Sequence, residues 1–289
     1  MLHLKPLTAP FARLKLPSAN FLIERQYFDE VQVVLERFFD APQSQPTLDP
    51  LEENRGVYLL QGAQQWVLKY NHLISWKKQL ANFFGLKKSY GLHDLTNEFV
   101  NLRKIPAQVD FIPRVSAYGY RTRWLFFLKE EYLLISYFAD HCNVDERLRS
   151  SPDQAEPLLE QIFTLFSNML AQGFCHLDPH PKNILIGPNN GLRLIDFECC
   201  AHEVLNHDFA LGFLHGYFYT YWFQRFIGKD DYHRVSNRYL ERAHPTLDRQ
   251  VFEPVYHQFR DHKVSRRTRY SVMTSAAAQN AFRKSLAVD

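Results

Sequence analysis

His176, Asp178, Asn183 and Asp196 are the residues of this sequence whose types and spacing suggest chemistry. The segment His176-Leu177-Asp178-Pro179-His180-Pro181-Lys182-Asn183 leads into the apolar run Ile184-Leu185-Ile186. A turn, Gly187-Pro188-Asn189-Asn190-Gly191, returns the chain as Leu192-Arg193-Leu194-Ile195-Asp196-Phe197. This reads as loop, strand, hairpin turn, strand and loop. An Asp, an Asn and a second Asp at the loop positions suit transfer of a phosphoryl group. One carboxylate would orient the attacking hydroxyl, while an amide and a carboxylate would hold Mg²⁺. Taken singly each residue is ordinary, since an Asp in a loop is usually a turn or cap residue; the joint spacing carries the weight. A zinc hydrolase built on His176, Asp178 and His180 is the competing chemistry, but it gives Asn183 and Asp196 nothing to do.

These loops need elements to hold them. Ala155 to Gln172 has an apolar face at 158, 159, 162, 165, 166, 169 and 170 and ends at Gly173, which predicts a long helix running into the His176 loop. Upstream, Tyr27 to Phe39 carries one apolar helical face, and Ala41 to Pro50, with its prolines, reads as a linker. Gly56 to Leu60 and Gln65 to Tyr70 read as strands joined at Gly62-Ala63, and His93 to Lys104 as a helix. Val115 to Tyr120, Trp124 to Lys129 and Tyr132 to Tyr137 read as three strands. After Asp208 the pattern is helical. Phe209 to Ile227 contains His215, Gln224 and Arg225, so it is expected to be a buried aromatic helix rather than a membrane span.

The bulk numbers set bounds. With 289 residues, 46% apolar and 22% charged, the chain is a globular protein large enough for two lobes. A net charge of +3 gives no argument for nucleic acid as a partner. The four cysteines, 142, 175, 199 and 200, form no Cys-x-x-Cys. Together with the lack of an apolar leader, this predicts reduced thiols in a cytoplasmic protein.

The spacing His-x-Asp-x-x-x-x-Asn, followed thirteen residues later by Asp-Phe, resembles the signature of the protein-kinase-like superfamily. The resemblance implies an α+β, two-lobed fold with a small antiparallel-sheet N-lobe and a larger, mainly helical C-lobe. The expected divisions are an N-terminal helical extension and linker at 1–50, an ATP-binding N-lobe at 51–138 and a C-lobe at 139–289. It also implies a catalytic role for Asp178, Mg²⁺ ligation by Asn183 and Asp196, and a mostly structural role for His176. His180 and Lys182 are expected near phosphate, and Asp208, which resembles the helix-start Asp that braces the catalytic loop, is expected to be structural, a role that capping the helix would equally fill. In the N-lobe, Lys69 at the end of Trp66-Val67-Leu68-Lys69-Tyr70 would contact ATP and Glu98 would anchor it. The plainer readings are a solubility lysine and an exposed helix charge, and Asp94 is an alternative carboxylate one turn earlier.

Departures from the signature narrow the branch. Asp196-Phe197-Glu198 replaces Asp-Phe-Gly, no Ala-Pro-Glu follows, and no Gly-x-Gly-x-x-Gly is present. The Asp178-Pro179-His180-Pro181 loop resembles that of the UbiB family. Leu68-Lys69-Tyr70-Asn71, the basic-aromatic stretch from Trp76 to Lys88, and Glu98 are similar to bacterial lipopolysaccharide core sugar kinases, including heptose and Kdo kinases and InaA-like proteins. This implies an ATP- and Mg²⁺-dependent kinase with an alcohol acceptor on a sugar or glycolipid, at the cytoplasmic face of the inner membrane. The 76–88 stretch would then either touch an anionic lipid surface or pack with its lysines solvated. Arg266, Arg267 and Arg269 form a second basic cluster, suited to a phosphorylated glycan or to coating a helix. The rival readings are a UbiB-like ATPase or lipid-linked kinase, and a nucleotide-binding pseudokinase module.

Overall fold

The computed structural model describes residues 5–49, 54–73, 95–123 and 127–286. The 76–88 stretch, Asp94 and residues 124–126 lie outside them. The chain divides into two compact units. One comprises Met1–Lys104 and Ile112–Ala139, the other Ile105–Phe111 and Asp140–Asp289.

In the first unit a short helix α1 (Lys5–Thr8) precedes six strands: β1 (Phe11–Lys15), β2 (Asn20–Glu24), β3 (Arg55–Gln61), β4 (Gln65–His72), β5 (Val115–Arg123) and β6 (Phe127–Ser136). They form one sheet in the order β1-β2-β5-β6-β4-β3, with every pairing antiparallel. Helix α2 (Phe28–Asp40) buries Val31, Val34, Leu35 and Phe38, the periodic face visible in the sequence. These join Phe21, Ile23, Trp66, Leu68, Ala117, Tyr132 and Leu134 in one core. Each fully buried side chain of this size contributes about 1.5–3 kcal/mol. Strand side chains alternate between faces, so Trp66 and Leu68 enter this core while Lys69 and Asn71 point to the other face. There they meet helix α3 (Leu95–Lys104), whose buried face is Leu95, Glu98, Phe99 and Leu102.

The structure corrects two expectations here. The N-terminal stretch is not simply helix and linker, because β1 and β2 form a hairpin that adds to the sheet through β2–β5 pairing. Phe21 and Ile23 bury alternately, a period-two signal too short to stand out beside α2. The separate strands expected at 124–129 and 132–137 give way to one strand, β6, which pairs with β4 and β5 along its length.

The second unit is mainly helical, with α4 (Val144–Ser150), α5 (Ala155–Ala171), α6 (His207–Tyr221), α7 (Lys229–Ala243), α8 (Arg249–Asp261), α9 (Arg266–Thr274) and α10 (Ala276–Leu286). Short strands carry its loops: β7 (Cys142–Asn143), β8 (Phe174–His176), β9 (Ile184–Ile186), β10 (Leu192–Leu194) and β11 (Cys200–His202). β9 and β10 form the hairpin expected from the sequence, and β8 pairs with β11. Helix α5 buries the whole predicted face and terminates at Gly173, whose φ of +82° suits glycine after a helix. Helix α6 is buried all round from Phe209 to Thr220 and is capped by the Asn206 side chain. Gly212 and Gly216 let it approach α8 closely. A Cβ on Gly216 would lie 2.5 Å from the Tyr256 carbonyl oxygen, and one on Gly212 2.8 Å from that of Phe252. Among the described residues no helix is long and apolar enough to cross a membrane. All four cysteines are free thiols.

Candidate active site

Each unit brings together part of the residue set. In the first unit, strand alternation aims Lys69 at α3, where its Nζ donates to both carboxylate oxygens of Glu98 at 2.7 Å. Glu98 is fully buried and Lys69 is 18% exposed, so the pair is desolvated on one side and open on the other. One strand rung away, the buried Glu131 carboxylate accepts hydrogen bonds from the hydroxyls of Thr96 and Tyr118 and from Asn71. These contacts fix the start of α3 to β6 and so fix the helix that presents Glu98. The sequence singled out Lys69 and Glu98; Glu131 and Thr96 carry no motif and were not anticipated.

In the second unit, His176 organises the site. It is fully buried. Its Nδ1 accepts from the Asp178 backbone N–H at 3.1 Å, and its Nε2 lies 2.9 Å from the Asp196 carbonyl oxygen. An accepting Nδ1 makes Nε2 the protonated nitrogen, so one neutral imidazole ties the Asp178 loop to the Asp196 loop. Burial lowers its pKa despite the Asp196 and Asp178 carboxylates, which act in the opposite direction. Asp196 has a φ of +65°, the left-handed region that few side chains adopt. The His176 contact holds that backbone in place. Asn183 is buried; its Nδ2 donates to the Asp178 carbonyl oxygen at 3.1 Å, and its own carbonyl accepts from the Ile195 N–H at 2.9 Å.

This arrangement can be tested against a metal. With Nδ2 committed, Oδ1 is the Asn183 atom left to face a cation, and Asp196 adds a carboxylate. Two hard oxygen donors fit Mg²⁺, which keeps several waters and binds substrate phosphates rather than a complete protein cage. They do not fit the zinc alternative, because both ring nitrogens of His176 are already engaged. His180 has one ring nitrogen engaged: its Nδ1 accepts from the Lys182 N–H at 3.2 Å, and its ring packs on Trp222 with centroids 4.5 Å apart. Burial lowers its pKa as well. Lys182 is exposed on the same loop.

Asp178 has two partners that the sequence did not reveal. The Tyr217 hydroxyl, from α6, donates to its Oδ1. Arg269, from α9, places Nη1 3.6 Å from the same oxygen and donates to the Leu177 carbonyl at 3.0 Å. The guanidinium of Arg269 also sits 4.3 Å from the centre of the Tyr217 ring. Burial, followed by the Asp178 charge, pushes the Tyr217 phenol far above its ordinary pKa, so it remains a donor. Arg266 grips the segment after Asp196, with Nη2 2.7 Å from Cys199 Sγ and 3.7 Å from Glu198 Oε2. Arg266 and Arg269 therefore do more than coat a helix. Asp208, expected to be structural, accepts from the Asp248 N–H at 3.3 Å, and Asn206 caps the helix.

Comparison with known proteins gives three similarities. Residues 107–249 match the model of the phosphotransferase enzyme family, APH. Maternal embryonic leucine zipper kinase of Xenopus tropicalis is 35% identical over 63 residues, a stretch spanning 22% of this chain and 10% of that protein. A co-crystal structure of WbdD and a kinase inhibitor overlaps 55% of this chain and 34% of its own, with 20% identity and a TM-score of 0.38. The chain is thus similar to phosphotransferases over residues 107–249.

Proposed function

We propose that this protein is an ATP- and Mg²⁺-dependent phosphotransferase whose acceptor is a hydroxyl group. The observation that carries the proposal is the His176 bridge, which holds the Asp178 loop and the Asp196 loop in one hydrogen-bonded unit with Asn183. In this reading Lys69, held by Glu98, engages the phosphates of ATP, and Asn183 and Asp196 hold the metal. When bound, Mg²⁺ supplies charge neutralisation on the phosphate oxygens. Asp178 orients the acceptor hydroxyl and takes its proton. A bond forms between the acceptor oxygen and the γ-phosphorus, the bond to the β–γ bridging oxygen breaks, and ADP leaves with that electron pair. His180 and Lys182 have a secondary part: His180 shapes the loop by its own hydrogen bond, and exposed Lys182 is the better placed of the two to meet a phosphate.

The acceptor we propose is a sugar hydroxyl of a lipopolysaccharide core or a related glycolipid, met at the cytoplasmic face of the inner membrane by peripheral contact. Its support is the sequence similarity around Leu68-Lys69-Tyr70-Asn71 and Glu98. The test is transfer of labelled γ-phosphate from ATP to lipopolysaccharide core oligosaccharides by the wild type and by Asp178→Asn. Label on the sugar from the wild type alone is the expected result. Lipid-stimulated ATP hydrolysis without sugar labelling would favour the UbiB-like reading, and ATP binding with no turnover the pseudokinase reading.

A further inference from the structure

We infer that Tyr217 and Arg269 are positioning residues for the proposed phosphoryl transfer: together they clamp one oxygen of Asp178 and leave the other to the acceptor. The inference rests on the phosphotransferase reading and goes beyond its motif residues. Both contacts fall on Oδ1, from a phenol on α6 and a guanidinium on α9. Oδ2 is then the oxygen left to receive the acceptor hydroxyl. The exposures fit this division. The Asp178 side chain is 33% exposed and so reachable by an acceptor, whereas Arg269 is 8% exposed.

A buried guanidinium is costly unless its charge is met. Arg269 is met by the Asp178 carboxylate, the Leu177 carbonyl and the faces of Tyr217 and Tyr221, at 4.3 and 5.3 Å. Its Nε is buried without a hydrogen-bond partner among the described residues. Here the arginine spans the carbonyl of Leu177 and the carboxylate of the next residue, fixing both the backbone and the rotamer of Asp178. A carboxylate free to rotate samples several orientations, and only some point Oδ2 at the acceptor. Holding one orientation in advance removes that reorganisation from the reaction step.

The test uses the full chain with MgATP, water serving as the acceptor. Affinity for MgATP is measured by calorimetry, γ-phosphate release under saturating MgATP, and folding by thermal melt. Tyr217→Phe removes one hydroxyl and is the conservative probe. Arg269→Gln removes the charge, and Arg269→Lys restores it without the planar fork. The expected result is MgATP affinity within about twofold of wild type for all three variants, with release slowed about 10- to 100-fold in Tyr217→Phe and Arg269→Gln. Arg269→Lys should recover part of the loss. Wild-type release rates in folded Tyr217→Phe and Arg269→Gln would overturn the clamp alone. Loss of rate only in proportion to loss of melting temperature and nucleotide affinity would reduce the pair to a structural role. A wild type that neither binds nor turns over MgATP would overturn the phosphotransferase reading and the clamp with it.

Discussion

The two units each hold a carboxylate in place, and they do so over very different distances along the chain. In the first unit Glu98 meets Lys69 across 29 residues, through a strand and a helix whose patterns announce themselves. In the second, Asp178 receives Tyr217 from 39 residues away, and Arg269 reaches the neighbouring Leu177 from 92 residues away. The first is an ion pair between a strand and a helix packed on its face. The second is a set of braces supplied by helices that follow the Asp178 loop in sequence. The comparison teaches that the groups for chemistry come from local motifs, while the groups that hold them still are recruited by packing.

Breaking the second region at its centre should have the largest effect. Asp178→Asn should lower phosphoryl transfer by about 10²- to 10⁴-fold while leaving MgATP affinity within a few-fold, because it removes the proton acceptor and not the nucleotide contacts. Lys69→Met should do the opposite first, weakening nucleotide affinity. It also leaves the fully buried Glu98 carboxylate without this cation, at a cost of about 3 kcal/mol in stability. Equal loss of affinity in both variants would erase the distinction drawn between the two regions.

A smaller effect tests whether packing sets the Asp178 brace. Gly216 precedes Tyr217, and a Cβ there would lie 2.5 Å from the Tyr256 carbonyl oxygen and 2.9 Å from the Arg260 nitrogen. Gly216→Ala should push α6 away from α8, costing about 1–3 kcal/mol in urea unfolding and slowing turnover along with it. Unchanged turnover in a destabilised variant would separate the brace from the helix contact.

Motif reading went far in the second unit because the hairpin is local. The loop, β9, the turn, β10 and Asp196 all fall within a run where strand length and turn chemistry are explicit. Gly173 was readable for the same reason. Tyr217 was not, because α6 is buried all round and has no polar face to mark which aromatic turns toward the site. Arg269 sits in a short basic helix, and charge runs usually coat surfaces. The β1–β2 hairpin was missed because each strand offers only five residues, next to the much stronger helical period of α2. Asp208 is structural, as its place at a helix start suggests, but a helix-start aspartate suits several partners, and only the fold shows that it holds the Asp248 backbone.

The smallest effect concerns acidity. His215 is fully buried, stacked on Phe163 at 3.9 Å and bonded to Ser236, and burial holds its pKa well below the ordinary histidine value. The unfolded chain therefore takes up the proton first as pH falls. Stability should be intact above pH ~6.5 and decline below it, by about 1.4 kcal/mol per pH unit for this one group. Thermal melts between pH 7.5 and 5.5 should show the decline, and His215→Gln should flatten it. An identical slope in the variant would assign the acid sensitivity to other groups.

The central claim is that the Asp178–Asn183–Asp196 network is a metal-dependent nucleotide site. Calorimetry of ATP binding with and without Mg²⁺, for the wild type and for Asp196→Asn, tests it most directly. The account predicts binding that tightens on adding Mg²⁺ in the wild type, with that gain lost in the variant while the fold is retained. Binding indifferent to Mg²⁺ in both proteins, or no binding by folded wild type, would contradict it.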